Sequence, residues 1–188
     1  MIVDINSRYG LNPAHSEVVS ASNIIKPCDT LDMGCSNGRN AIYLSQLGFK
    51  VTGVDINHNG IDILHNIINE EQINNIKTHV YDINKATLGE DYGFISCTVT
   101  LMFIDPARVD AIIADMQKCT LVEGYNLIVC AMNTEEYPCP VNFPFTLKSE
   151  QLRKAYNGWE LVKYNEDVGT MHNGAQLQFA TLLARKPA

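Results

Sequence analysis

The sequence predicts an α/β fold: a doubly wound, mostly parallel sheet of seven strands with a carboxyl-terminal antiparallel hairpin, in one domain over residues 1–188. Three observations predict it. Strand-like and helix-like stretches alternate from Thr30 to Met132, as they do where helical crossovers join parallel strands. Three of those strands end in an acid, at Asp32, Asp55 and Asp82, around one glycine-bearing turn, and ligands of such sheets bind beyond the carboxyl ends of the strands. The last two strand-like stretches, Trp159 to Val168 and Ala175 to Arg185, have no helical pattern between them; a hairpin permits that and a parallel crossover does not.

Taken in order, Asn12-Pro13 reads as a helix cap with proline at the first helical position, and Val18, Val19, Ala21, Ile24 and Ile25 carry an apolar face to Pro27. The first strand begins at Thr30 and runs into Gly34 and Gly38, where glycine lets a turn adopt φ > 0 and lets a ligand approach the backbone. Ala41, Ile42, Leu44 and Leu47 then form a helix that Gly48 stops, and its first N–H groups point at the turn. The second strand, Lys50 to Asp55, is followed by a helix that Asn57 or Asn59 can start, with Ile61, Ile63, Leu64, Ile67 and Ile68 as its buried face. The third strand spans Ile76 to Asp82, and the fourth, Tyr92 to Thr100, is apolar or β-branched almost throughout, as a strand covered on both faces should be. Asp105-Pro106 repeats the cap-and-proline signal before Val109, Ile112, Ile113 and Met116; Gly124 to Met132 is the fifth strand, and Ser149 to Asn157 a short helix. Asn133 to Lys148 has neither period, yet holds Tyr137, Phe143 and Phe145 among three prolines. A loop so long and so apolar is expected to form a wall or lid over a site rather than a disordered connector.

The spacing narrows the ligand. Gly34-Cys-Ser-Asn-Gly38 does not fit the Gly-x-Gly-x-x-Gly dinucleotide fingerprint, and no Gly-Lys-Ser/Thr follows to make a phosphate loop. Asp55 lies 17 residues past Gly38, about where a ribose-binding carboxylate belongs. A net charge of −7, from 14 basic and 21 acidic residues, with no basic stripe, argues against a nucleic-acid partner. No apolar run approaches the roughly 20 residues of a membrane span, and the start of the chain has no basic, then apolar, leader pattern, so a cytoplasmic protein is expected. The six cysteines include no Cys-x-x-Cys, and no metal site is expected.

Asp32-x-Gly34-x-x-x-Gly38 resembles the first motif of class I S-adenosylmethionine-dependent methyltransferases, with Ser36 where that family has glycine. More specifically, Ala14-His-Ser-Glu-Val18, Leu31-Asp-x-Gly-Cys-x-Asn-Gly-Arg-Asn40, Thr98-Val-x-Leu-Met-Phe103, Gly124-Tyr-Asn-Leu-Ile-Val129 and Lys163-Tyr-Asn-Glu-Asp-Val-Gly169 resemble the bacterial tellurite-resistance methyltransferases of the TehB family. Tyr137-Pro-Cys139 and Phe143-Pro-Phe145 extend the likeness over nearly the whole chain.

The resemblance implies a Rossmann-like sheet of the class I type and S-adenosyl-L-methionine as cofactor. It puts Asp32, Gly34, Gly38, Arg39 and Asn40 around the methionine end, with Ser36 in the same turn. Asp55 would bind the ribose hydroxyls and Asp82 the adenine amino group, with Ile56 and Ile83 beside them and Thr98 close to the sulfonium. Family members carry His-Arg and a further Arg in the final hairpin, assigned to the oxyanion or its chemistry. Here His172 is kept, Asn173 follows it, and the hairpin after it has no arginine before Arg185. The catalytic candidates are therefore His172 and Arg39, with Arg8 as a further local cation. His15 suits a cap or a packed position better than catalysis, and Cys35 a packed one. The implied activity is methylation of tellurite, selenite or another small soft nucleophile by a monomer or homodimer. The alternatives are a non-catalytic S-adenosylmethionine-binding regulator and a nicotinamide-dependent oxidoreductase.

Overall fold

In the computed structural model, which describes residues 4–170 and 174–188, the strand-like stretches form one seven-stranded sheet. Its strands are β1 (Asp29–Met33), β2 (Lys50–Asp55), β3 (Ile76–Val80), β4 (Tyr92–Thr98), β5 (Thr120–Ala131), β6 (Glu160–Thr170) and β7 (Gln176–Arg185). The spatial order is β3-β2-β1-β4-β5-β7-β6. The first five strands are parallel and β7 lies antiparallel between β5 and β6. The expected hairpin is present, and its second strand, the more apolar one, is the inner one. Leu177, Ala180, Leu182, Leu183 and Ala184 of β7 are buried, whereas β6 has no fully buried position and ends in four exposed ones, as suits an edge strand.

The helices are α1 (Ile5–Arg8), α2 (Ser16–Ser22), α3 (Arg39–Gln46), α4 (His58–Glu70), α5 (Val109–Lys118) and α6 (Gln151–Ala155). Apolar residues of α1 to α4, among them Ile5, Val18, Ile42, Leu44, Ile61, Leu64 and Ile67, form one core, with Phe49, Phe94 and Leu127 from the sheet. Val109, Ile112, Ile113 and Met116 of α5 and Leu152 of α6 form the other, with Ile95, Cys97, Ile128 and Cys130. Each fully buried side chain of this kind contributes roughly 1.5–3 kcal/mol, so the periodicity that marks the helices also decides which faces meet the sheet.

Several boundaries differ from the sequence reading. Asn12-Pro13 does not start α2. His15 caps it, its Nδ1 accepting the Glu17 N–H at 3.2 Å. The four-residue α1, capped by Asp4, has too short a pattern to stand out in the sequence. Asn57 rather than Asn59 caps α4, accepting from the Asn59 and Gly60 N–H groups. β3 stops at Val80, and Asp82 caps a 3₁₀ turn over Ile83–Lys85. β4 stops at Thr98 because Val99 turns left-handed, at φ +57°. Among the described residues no helix is long and apolar enough to cross a membrane.

The segment 133–148 returns against the end of β5. The Asn133 and Leu147 N–H groups donate to the Leu147 and Ala131 carbonyls, and the Phe145 N–H donates to the Met102 carbonyl. Phe143 meets Phe103 edge-on, with ring centroids 5.4 Å apart. The loop thus packs against Phe103 through Phe143, and none of its residues lines the cavity described next.

Candidate active site

A cavity of about 310 Å³ opens beyond the carboxyl ends of β1 to β4. The strand order reverses between β1 and β4, which is where an open α/β sheet leaves a crevice. The walls come from the turn after β1 (Gly34, Ser36), the end of β2 (Asp55, Ile56), the segment after β3 (Tyr81, Asp82, Ile83, Asn84) and that after β4 (Val99, Thr100, Phe103, Ile104). A larger hollow of about 630 Å³ lies at the other end, around the amino ends of β1 and β2, and has none of these features.

The turn is built on positive φ. Gly34 stands at +74°, Ser36 at +50° and Gly38 at +88°. The Gly34 and Cys35 N–H groups donate to the Val54 carbonyl at 2.8 and 3.0 Å, and the Gly38 N–H donates to the Cys35 carbonyl at 2.8 Å. A Cβ on Gly34 would lie 2.3 Å from Thr100 Oγ1, so the turn and the segment after β4 touch through the missing side chain. Ser36 occupies a conformation that suits glycine, which gives a physical reason for glycine there in the motif it resembles. Cys35 is buried, and burial, then the nearby Asp32 and Asp55 carboxylates, push its thiol pKa far up. It is a packed and unreactive side chain.

The three strand-end acids have three different environments. Asp55 accepts the Ser36 N–H on Oδ2 and the Asn57 N–H on Oδ1, each at 2.8 Å, and still lines the cavity. Asp82 accepts the Asn84 N–H and side-chain amide on Oδ1, and also faces the cavity. Asp32 is 1% exposed: Oδ1 accepts the Ser96 hydroxyl at 2.9 Å, and Oδ2 has no hydrogen-bond partner. Burial pushes its pKa up to about 6, against the Ser96 hydroxyl, the nearby Asn40 amide and the Arg39 charge, while the Asp55 carboxylate adds to the rise.

A carboxyl whose folded pKa exceeds its unfolded value holds its proton more tightly in the native state. Stability is therefore expected to fall as pH rises from the ordinary carboxylate range through about 6, by up to about 3 kcal/mol, and then to level off. Urea midpoints between pH 4 and 8 measure this slope; it should be absent in Asp32→Asn, and a wild-type curve flat over that window would overturn the prediction.

After β4 the backbone is strained. Val99 is β-branched and left-handed, and it lines the cavity, an arrangement that costs of order 1–3 kcal/mol and that occurs mostly at functional sites. Thr100 Oγ1 points toward the Met33 and Thr98 carbonyls, bridging β1 and β4. Thr98 itself is buried, and its hydroxyl accepts from Asn40 Nδ2 at 3.2 Å. Ile56 and Phe103 each remain 62% exposed, although both are large and apolar. Open apolar side chains beside two carboxylates are the walls a flat heteroaromatic ring with a polar edge requires.

The residues expected at the site thus divide. Gly34, Ser36, Asp55, Ile56, Asp82 and Ile83 line the cavity. Asp32, Gly38, Arg39, Asn40 and Thr98 stand outside the lining, and of these all but Arg39 are buried. His172 lies outside the described residues. Arg8 is not a cation for this site: its guanidinium pairs with Glu71 at 2.6 Å, at the far end of α4, which runs 13 residues or about 20 Å from the site. Arg39 begins α3 beside His15 and reaches toward the Pro13 carbonyl at 3.5 Å. Burial, then the Arg39 charge, lower the His15 pKa, and its Nδ1 accepts the Glu17 N–H. Tyr81, Asn84, Val99, Thr100, Phe103 and Ile104 were not anticipated as lining; their one sequence signal is that each follows a strand end. Among the described residues no group of three or more His, Cys, Asp or Glu is arranged to hold a metal ion.

Fold and cavity together define a domain of the class I S-adenosylmethionine-dependent methyltransferase type. The family model for tellurite resistance protein TehB matches residues 4–183, and the chain belongs to that family. It is similar to the probable S-adenosyl-L-methionine-dependent methyltransferase TehB of Haemophilus influenzae (strain 10810), with 46% identity over 96% of this chain and 65% of the relative. The crystal structure of TehB from Haemophilus influenzae superposes with a TM-score of 0.93 at 45% identity, over 97% of this chain and 65% of that one. Hemagglutinin 1 of Eikenella corrodens is 44% identical over 97% of this chain and 62% of its own length. The chain therefore spans less than two thirds of the length of these relatives.

Proposed function

We propose that residues 1–188 form one S-adenosyl-L-methionine-dependent methyltransferase domain that methylates tellurite, selenite or another small soft nucleophile and so contributes to tellurite resistance. The observation that carries this reading is the cavity at the β1/β4 reversal, where Asp55 and Asp82 stand beside the open apolar faces of Ile56 and Phe103. The residues fit the cofactor. Asp55 has lone pairs left for the ribose hydroxyls after its two backbone bonds. Asp82 can accept from the adenine amino group, between Ile56 and Ile83. The unpaired, buried Oδ2 of Asp32 suits the positive methionine end, with Gly34 giving close approach. When bound, the cofactor supplies an already activated methyl group. What the chain must add is alignment of a nucleophile in a dry pocket, which can supply on the order of 7–11 kcal/mol of barrier reduction.

An oxyanion needs a local cation in a chain of charge −7, since burying an unpaired charge is costly. Arg39 and a protonated His172 are the candidates that remain once Arg8 is paired with Glu71. A thiol acceptor needs a base, and His172 then serves in its neutral form. The reading is of a cytoplasmic enzyme, monomeric or homodimeric, without nucleic acid as partner.

Radiolabelled methyl transfer to tellurite, selenite and small thiols tests it. Oxyanion turnover should be slow and should fall as pH rises through the ordinary histidine value near 6.5, whereas thiol turnover should rise. His172→Ala should lower turnover at least tenfold and leave binding of the demethylated cofactor, S-adenosylhomocysteine, unchanged. No methyl transfer to any acceptor, with cofactor bound, would replace the enzyme reading by that of a binding protein.

A further inference from the structure

Asn40 stands outside the cavity lining. It is 6% exposed in the first turn of α3, and both ends of its amide are occupied. Oδ1 accepts the His15 backbone N–H at 2.9 Å, and Nδ2 donates to Thr98 Oγ1 at 3.2 Å. These partners come from different parts of the chain. His15 closes the amino-terminal arm, residues 4–15, and caps α2; Thr98 ends β4, next to Val99 and Thr100 of the cavity wall.

Two further bonds hold the arm on the same turn of α3. Asn6 Nδ2 donates to the Arg39 carbonyl at 2.9 Å, and Arg39 Nη1 reaches the Pro13 carbonyl at 3.5 Å. On the far side, Glu17 in the first turn of α2 pairs with Lys163 of β6 at 2.6 Å. A continuous run of polar contacts therefore leads from Thr98 through Asn40, His15 and Glu17 to the strand that carries the final hairpin.

We propose that Asn40 is a positioning residue: it latches the amino-terminal arm onto the first turn of α3 beside Arg39 and fixes the arm relative to Thr98, so that the acceptor is held in line. The inference rests on the methyltransferase reading above and departs from it on one residue, since it makes Asn40 a support rather than a cofactor ligand. Removing the amide frees the arm and takes away no group of the cavity lining. The cost should fall on the acceptor and not on the cofactor.

Asn40→Ala and Asn6→Ala in the full chain test this. Asn6→Ala removes a second anchor of the arm, and it also removes an Oδ1 that is buried without a partner, so this variant should fold even where the first does not. Three quantities are measured: the affinity for S-adenosylhomocysteine by calorimetry, hydrogen exchange over residues 4–15 at saturating S-adenosylhomocysteine, and the KM and kcat for selenite. In Asn40→Ala, exchange in the arm should rise at least tenfold and the KM for selenite at least fivefold, with the affinity for S-adenosylhomocysteine changed less than threefold. Asn6→Ala should shift the same quantities in the same direction by smaller factors. A tenfold loss of S-adenosylhomocysteine affinity with arm exchange unchanged would make Asn40 a cofactor ligand and overturn the proposal. Exchange rising equally over the whole domain in both variants would reduce it to a fold contact. A wild-type protein inert toward selenite would fail the oxyanion reading alone, because the exchange and affinity measurements need no acceptor.

Discussion

Asp55→Ala is expected to weaken binding of S-adenosylhomocysteine by at least 100-fold. A hydrogen bond to a charged group contributes about 1.5–3 kcal/mol, and two ribose hydroxyls on one carboxylate give about 3–6 kcal/mol, more than two powers of ten in affinity. The carboxylate also ties the turn to β2 through the Ser36 N–H and to the cap of α4 through the Asn57 N–H. Both bonds are exposed, so water can replace them, and the apo protein should lose only about 1 kcal/mol of stability. Calorimetry, with melting curves at several ligand concentrations, separates the two effects, because a ligand bound only by the native state raises the melting temperature by mass action. Affinity within threefold of wild type would remove Asp55 from the cofactor site.

Gly34→Ala is expected to destabilise the fold by about 3–5 kcal/mol, in the range of the severe single substitutions. Two causes add. The residue sits at φ +74°, where a Cβ costs roughly 1–2 kcal/mol. That Cβ would also lie 2.3 Å from Thr100 Oγ1, 2.4 Å from Cγ2 and 2.9 Å from Cβ, against a β-branched side chain held by its rotamer and by the Met33 and Thr98 carbonyls. Adding Thr100→Ala removes the two closest atoms and should recover part of the loss, a coupling that a double-mutant cycle reads directly. Ser36→Gly is the contrasting change. It relieves left-handed strain at φ +50° but adds freedom to the unfolded chain of similar size, so stability should move by less than about 1 kcal/mol. Urea midpoints that place Gly34→Ala within 1 kcal/mol of wild type would show that the turn and Thr100 are not packed as described.

The features that the sequence made legible are those set by short-range chemistry. The periods of the helices and strands, the glycines at Gly34 and Gly38 and the acids at three strand ends could all be read locally. A helix face, a positive φ and a strand terminus depend on a residue and its near neighbours. That was enough for the doubly wound sheet, the family likeness and six of the residues that line the cavity. The misplaced start of α2 shows the limit of local reading. Asn12-Pro13 has the better capping chemistry, yet His15 caps the helix, held by the Asn40 amide 25 residues away.

Tertiary structure alone decided which of the expected residues face the cavity. Asp32, Asp55 and Asp82 look alike at the ends of their strands, but Ser96, 64 residues from Asp32, buries with it and leaves one oxygen unpaired. Arg8 was a free cation until Glu71, 63 residues on, neutralised it. Asn40, expected beside the cofactor, has both ends of its amide held, by Thr98, 58 residues on, and by His15. The inner place of β7 has the same origin: both hairpin strands carry a strand pattern, and only the core beside β5 selects the more apolar one. In every case the deciding partner is distant in the chain. Burial and hydrogen-bond satisfaction are properties of the packed whole, which no local pattern encodes.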